Sequence, residues 1–376
     1  MLMLGIESSC DETAAAVVEE TTDRDRPWRL RSSVIASQVE IHREWGGVVP
    51  EIASRQHLRD ICGVVERAMA EGGATWGDLG AVAVTQGPGL IGSLLVGVAF
   101  GKALAATHDL PLVAVHHLAG HIESLFLEHG RLPLPMVTLV VSGGHTNLYL
   151  VPVEGEYRLI GRTRDDAAGE AYDKVAKLLG LGYPGGPVVD RRARLGDDRA
   201  VPLPITRLTH ADRIHAPATG VEGVFANALR YRTDFSFSGL KTAVMRYVRA
   251  RQQSLGYSPS AAMAAAPSGS SLPEREINDI CASFQRVVVE ALLERTFDAA
   301  EWFGARSVGI AGGVSANSRL RADAQARGAQ RGLPVFVPSL ALSTDNAAMI
   351  AAAGIRRYRA GVRADASLNA EASLTL

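Results

Sequence analysis

Two stretches of this chain, "LMLGIESSCDETAAAVVE" and "MVTLVVSGGHTNLYLVPV", share one grammar: an apolar strand, a short polar turn and a second apolar strand. The turns fall at Ser8 to Thr13 and at Ser142 to Thr146. Such a unit recurring once in each half constrains the fold to two related lobes, each built on its own sheet. Two further stretches, "AVAVTQGPGLIGSLLVGVAFGKALAA" and "SVGIAGGVSANSRLRADAQARG", each read as strand, glycine turn and helix. Strands alternating with helices predict an α/β architecture with largely parallel sheets, whose ligands lie at the carboxyl ends of the strands.

Size agrees with two lobes, because 376 residues exceed what one hydrophobic core usually serves. A content of 47% hydrophobic and 21% charged residues is that of an ordinary globular protein. The formal net charge of −1 gives no global electrostatic footprint for nucleic acid. Such a partner needs a local patch or a helper protein, and the clustered Arg356, Arg357, Arg359 and Arg363 are either that patch or a solvated helix face. Cys10, Cys62 and Cys281 show no metal or disulfide spacing, which suits a reducing compartment. The opening "MLMLGIESSCDE" lacks a basic leader and is expected to be a buried strand, and no apolar run is long enough to span a bilayer. A cytoplasmic location is expected, with no membrane partner. The segments 195–234 and 251–276 read as irregular insertions, and the end "ADASLNAEASLTL" as a frayed tail.

In "HHLAGH", His117 and His121 stand four apart, on one face of a predicted helix, where both imidazoles can reach one ion. Two histidines lining a helix are the plainer alternative. A third ligand shifts the balance, and Asp345 in "STDNAAMIAAAG" is a candidate, its ordinary role being a helix N-cap. Two imidazoles and one carboxylate leave coordination positions open for substrate. A zinc peptidase needs HExxH, with glutamate after the first histidine as general base; Leu118 occupies that place.

The glycine pairs Gly143–Gly144, Gly185–Gly186 and Gly312–Gly313 all follow apolar segments. Glycine permits positive φ and lets backbone amides approach an anion, so a nucleotide cleft is the favoured reading over plain hairpin turns. Asn317, just beyond the last pair, is placed to bond a base or ribose. Neither a Walker A loop nor a Rossmann fingerprint occurs. Asp11 and Glu12 bring acidic groups to the first polar turn.

These motifs, together with "QVEIHREWGGVVPEIASRQHL", "DDAAGEAYDKVAKLLGLGYPGGP", "FSFSGLKTAV" and "STDNAAMIA", resemble the TsaD (Gcp/YgjD) family of tRNA N6-adenosine threonylcarbamoyltransferases, in order from Gly5 to Ala351. The resemblance implies the actin-like, Hsp70-like and sugar-kinase-like (ASKHA) fold, two lobes around a nucleotide cleft. It places the first lobe at 1–115, completed by the C-terminal helix 345–376, and the second at 116–344. It implies transfer of a threonylcarbamoyl group from threonylcarbamoyl-AMP to N6 of the adenosine beside the anticodon in tRNAs reading codons that begin with A, with release of AMP. Matched position by position, His117, His121 and Asp345 become ligands of one divalent ion per subunit, iron or zinc. Asp11 and Glu12 become the catalytic acids. Val140, Val141, Ser142, Gly143, Gly144, Asp173, Gly186, Asp190 and Asn317 become substrate-binding positions. The implied partners are tRNA, a TsaB-like paralogue and a TsaE-like P-loop ATPase. Ser343 departs from the family, many members of which carry cysteine there. A metallopeptidase and a non-catalytic nucleotide-binding scaffold are the competing functions.

Overall fold

The computed structural model describes residues 1–205, 233–256 and 272–376. Most of both expected insertions, at 206–232 and 257–271, lies outside the described residues. At the flanks of the second, helix rather than irregular chain is found: Ser238–Ser254 runs into it and Glu274–Trp302 begins inside it.

One compact unit comprises Met1–Leu134, Val151–Arg158 and Phe336–Leu376. Its sheet contains β1 (Leu2–Glu7), β2 (Glu12–Glu20), β3 (Trp28–Ser37), β4 (Leu79–Gly87) and β5 (Leu112–His116), in the order β3-β2-β1-β4-β5. β1 pairs antiparallel with β2 and parallel with β4, and β4 pairs parallel with β5. The sequence explains this placement. "LMLGIE", "LGAVAVTQG" and "LVAVH" are nearly continuous apolar runs, as strands covered on both faces require. "WRLRSSVIAS" alternates exposed and buried residues and forms the edge.

On one face, Leu4, Ile6, Ala15 and Val17 pack with Ile61, Val64 and Ala68 of helix Pro50–Gly72 and with Val98 and Ala105 of helix Ile91–Thr107. Helix Ala347–Arg359 covers the other face at very close range. A Cβ on Gly5 would stand 2.3 Å from the Ala347 carbonyl oxygen, and one on Gly354 would stand 2.5 Å from Cβ of Ala83. Helix His117–His129 packs beside it, where a Cβ on Gly120 would lie 2.9 Å from Ile350 Cδ1. This packing keeps 116–134 in the first unit, so the border expected at 115 falls inside that unit.

The end of the chain is anchored, contrary to the frayed tail expected. Ala364 N donates to Leu112 O at 2.8 Å, Glu371 N to Gln86 O at 2.9 Å and Lys102 Nζ to Leu368 O at 3.1 Å. This segment of turns and irregular chain packs Ala364, Leu368 and Ala370 on the core.

The other unit comprises Pro135–Leu150 and Leu159–Val335. Its sheet contains β6 (Met136–Val141), β7 (Thr146–Val151), β8 (Arg158–Arg162), β9 (Ser307–Ala311) and β10 (Val335–Phe336), in the order β10-β9-β6-β7-β8, with β6 and β9 parallel. Counted within each sheet, both orders read third, second, first, fourth, fifth. The repeated strand, turn and strand of the sequence is thus the start of a repeated sheet. Helix Glu274–Trp302 buries Phe284, Val287, Val288 and Leu292 in this unit.

Candidate metal centre

β5 ends at His116, and helix His117–His129 starts at the next residue. His116 is the N-cap: its Nδ1 accepts from Leu118 N at 3.1 Å. Its Nε2 then carries the proton and donates to Leu374 O at 3.1 Å. Burial lowers its pKa to about 4. Both nitrogens are used, which leaves the metal reading to the other two histidines.

His117 and His121 lie one helical turn apart with ring centroids at 4.7 Å, nearly perpendicular. Asp345 reaches them from the turn before helix Ala347–Arg359: its Oδ1 is 3.1 Å from His121 Nε2 and 3.5 Å from His117 Nε2. The cap of that helix is Asn346 rather than Asp345, since Asn346 Oδ1 accepts from Met349 N at 3.0 Å. Asp345 is released from capping and turns toward the imidazoles. One ligand atom from each of the three residues lies within 4.8 Å of the others.

The donor set fits a cation. His121 is fully buried, yet neither ring nitrogen has a hydrogen-bond partner; Nε2 touches Asp345 without the alignment of a bond. Orphaned buried nitrogens are costly unless something else meets the lone pair. Two imidazoles and a carboxylate are a common iron or zinc donor set and leave positions open. Without an ion, burial lowers His117, but the charges of Asp345 and Glu7 outweigh it and raise its pKa to about 9. Burial lowers His121.

Behind His117 stands Glu7, the last residue of β1 and wholly buried. Its Oε2 is 3.0 Å from His117 Nδ1 and accepts from Thr85 Oγ1 at 2.8 Å, while Oε1 accepts from Ser9 N at 2.5 Å. Asp11 ends the turn before β2 and Glu12 opens that strand, Asp11 buried and Glu12 partly so. Burial, then the charges of Asp11 and Asp345, push the Glu12 carboxyl well above the usual range.

In the other unit, Val140 and Val141 are the buried end of β6. Ser142 N donates to His145 O at 2.8 Å, closing a hairpin turn, and His145 N donates to Ser142 Oγ at 3.2 Å. Gly143 and Gly144 are exposed, and a Cβ on either would meet nothing within 4 Å. Positive φ, expected of the glycine pairs, occurs at Gly312 alone among them: φ is +90°, and a Cβ there would stand 2.5 Å from Val141 O. Gly186 and Gly313 likewise leave open space, whereas Gly185 permits close packing: a Cβ there would stand 2.6 Å from Ala176 Cβ and 2.7 Å from the Tyr172 carbonyl oxygen. Asp173 Oδ1 accepts from Gly185 N at 2.7 Å, beside Gly186 at the start of helix Gly185–Ala193. Asp190 accepts from Ser318 Oγ at 2.8 Å and Gln285 Nε2 at 3.1 Å. Asn317, expected to bond a base or ribose, caps helix Ser318–Arg331 through Oδ1 and donates to Gln285 Oε1 at 2.9 Å.

The family model for TsaD, tRNA N6-adenosine threonylcarbamoyltransferase, matches residues 29–352. Relatives of that name are 47% identical in Koribacter versatilis, over 100% of this chain and 99% of the relative, and 48% identical in Moorella thermoacetica, over 100% and 97%. The chain belongs to the TsaD family. It is therefore a transferase that acts on tRNA, and the peptidase and scaffold readings are not favoured.

The TsaD chain has the ASKHA fold. Full-length HypF, solved with phosphate and nucleotide, matches 95% of it at 13% identity with a TM-score of 0.55, the match spanning 55% of HypF. No helix among the described residues is long and apolar enough to cross a membrane. Sequence reasoning missed Glu7, Gln285 and Ser318 in this TsaD chain. A charged residue closing the apolar run "LMLGIE" was the available signal for Glu7; nothing in the sequence marks Gln285, which lies within a long helix.

Proposed function

We propose that the chain transfers the threonylcarbamoyl group of threonylcarbamoyl-AMP to N6 of the adenosine beside the anticodon in tRNAs reading codons that begin with A. The observation that carries this reading is the convergence of His117, His121 and Asp345 in a chain of this family. The three residues would hold one iron or zinc ion, which supplies positive charge for the donor's phosphate and polarises its carbamoyl carbonyl when bound.

The adenosine N6 lone pair attacks the carbamoyl carbon, the bond from that carbon to the phosphate oxygen breaks, and AMP leaves as the amine gives up a proton. Glu12, whose carboxyl holds its proton to higher pH than usual, is suited to donate a hydrogen bond to a developing negative oxygen. Asp11 beside it is assigned to the departing amine proton. In the second unit, the backbone of Val140, Val141, Ser142, Gly143 and Gly144 is assigned to the donor's anionic group, where the open space at both glycines permits close approach. Asp173, Gly186, Asp190 and Asn317 are assigned to the nucleotide portion, Asp190 and Asn317 acting through the arrangement that Gln285 links. A TsaB-like paralogue and a TsaE-like ATPase are the proposed partners, in the cytoplasm; the near-neutral charge accords with shared gripping of tRNA.

The test is incorporation of labelled threonine into tRNA by the purified protein with its partners. His117→Ala/His121→Ala is expected to abolish it, and full incorporation by that variant would refute the metal role. Glu12→Gln and Asp11→Asn are expected to lower turnover while leaving bound metal unchanged.

A further inference from the structure

We infer that Glu7 is a positioning residue that selects which nitrogen of His117 faces the ion. The inference rests on the metal reading proposed above. Histidine can ligate through either ring nitrogen, and the hydrogen bond made by one decides the role of the other. His117 Nδ1 lies 3.0 Å from Glu7 Oε2 and 3.2 Å from Ser9 Oγ, while Nε2 faces Asp345. A carboxylate can only accept, so the proton sits on Nδ1 and the lone pair of Nε2 is left for the ion. The negative charge behind the ring also makes Nε2 a stronger donor.

Glu7 is itself held beside His117 by two further donors. It closes β1, and Thr85 lies on the neighbouring parallel strand, where Ile6 pairs with Val84. The Thr85 hydroxyl donates to Oε2, and Ser9 N donates to Oε1. Both carboxylate oxygens are thereby engaged on the Nδ1 side of the ring, away from the atoms that face the ion.

The isosteric change Glu7→Gln breaks this in either orientation of the amide. With the amide NH2 at the Oε1 position, it confronts Ser9 N, donor against donor. With NH2 at the Oε2 position, it donates to His117 Nδ1, which drives the proton to Nε2 and blocks the ligand atom.

The test uses the full-length protein, stripped with chelator and titrated with Zn2+ by calorimetry, as parent, Glu7→Gln and Asp345→Ala. Long-range 1H–15N spectra of the histidine-labelled, zinc-loaded parent report the His117 tautomer. Expected are a proton on Nδ1 of His117 in the parent and a loss of zinc affinity of about 10- to 100-fold in Glu7→Gln, with the metal-free fold retained by circular dichroism. Parent-like affinity in Glu7→Gln, with binding lost in Asp345→Ala, would overturn the role of Glu7 and leave the metal reading standing. A zinc-loaded parent with the proton on Nε2 overturns it whether or not the variant folds. A parent that binds no zinc removes both readings together.

Discussion

Arg356 Nε lies 2.8 Å from a carboxylate oxygen of Glu123, a side chain with no exposure to solvent. The same guanidinium sits 4.8 Å from the ring centroid of Trp28 and 5.2 Å from that of Phe126, and contacts Glu154 at 2.9 Å. Tyr157 donates its hydroxyl to Glu123 from the other side. The pair ties helix His117–His129 to helix Ala347–Arg359, the two elements that border the proposed metal ligands. Arg356→Ala is expected to cost about 3–5 kcal/mol in urea unfolding, because it strands a buried carboxylate. Arg356→Ala/Glu123→Leu should recover much of that loss, and a single variant as stable as the parent would remove the clamp from the account. Arg359 is paired with Glu20, and Arg363 folds onto the ring and carbonyl of Tyr358.

Stability should fall as pH drops from about 6.5 to about 4, with His116 contributing. The folded state holds its pKa at about 4, against 6.5 for a free imidazole, because burial disfavours the charged ring. Its contribution is complete above 6.5, where both states are neutral, and is lost as pH falls toward 4, because the unfolded chain takes up the proton first. The shift corresponds to about 3 kcal/mol. His116→Asn keeps a side-chain acceptor for Leu118 N but cannot titrate. Its urea midpoint, compared with the parent's at pH 7, 5.5 and 4.5, should vary less steeply, and parallel curves would contradict the assignment.

Metal binding should appear as thermal stabilisation. An ion at about 100 times its dissociation constant stabilises the folded state by about 2.7 kcal/mol. Zn2+ is therefore expected to raise the melting temperature of the chelator-treated parent and to leave that of Asp345→Ala and His121→Ala unmoved. An equal rise in all three would assign the effect to some other site.

Gly5→Ala is expected to destabilise the chain by about 1–3 kcal/mol, as overpacking does. The added carbon would meet backbone, the Ala347 oxygen at 2.3 Å and the Ala351 nitrogen at 2.8 Å, which cannot rotate aside. Because helix Ala347–Arg359 must shift, zinc affinity should weaken as well. Unchanged stability and unchanged affinity would show that the helix has slack.

The sheets were legible because their central strands are continuous apolar runs, and the repeat was legible because polar turns interrupt those runs at matching places. His117 and His121 were legible because helical periodicity alone puts them on one face. Asp345 was not, since periodicity says nothing about contacts between distant segments; the family resemblance supplied it. Capping chemistry left two roles open for Asp345: Asp345 and Asn346 are both good caps, and only the folded backbone decides that Asn346 takes the role. Composition misled at the C-terminal segment, whose alanines and serines suit close packing as well as disorder. Glycine pairs advertised unusual backbone, yet at Gly143 and Gly144 they provide open space.

The seam of glycine and alanine between β1 and helix Ala347–Arg359 has a thermodynamic corollary. Main chain touching main chain has no rotamers to rearrange, so packing alone fixes the turn that bears Asp345 and no ion would be needed to place it. Ion capture then has little conformational entropy left to overcome, and calorimetric binding should show only a small heat-capacity change.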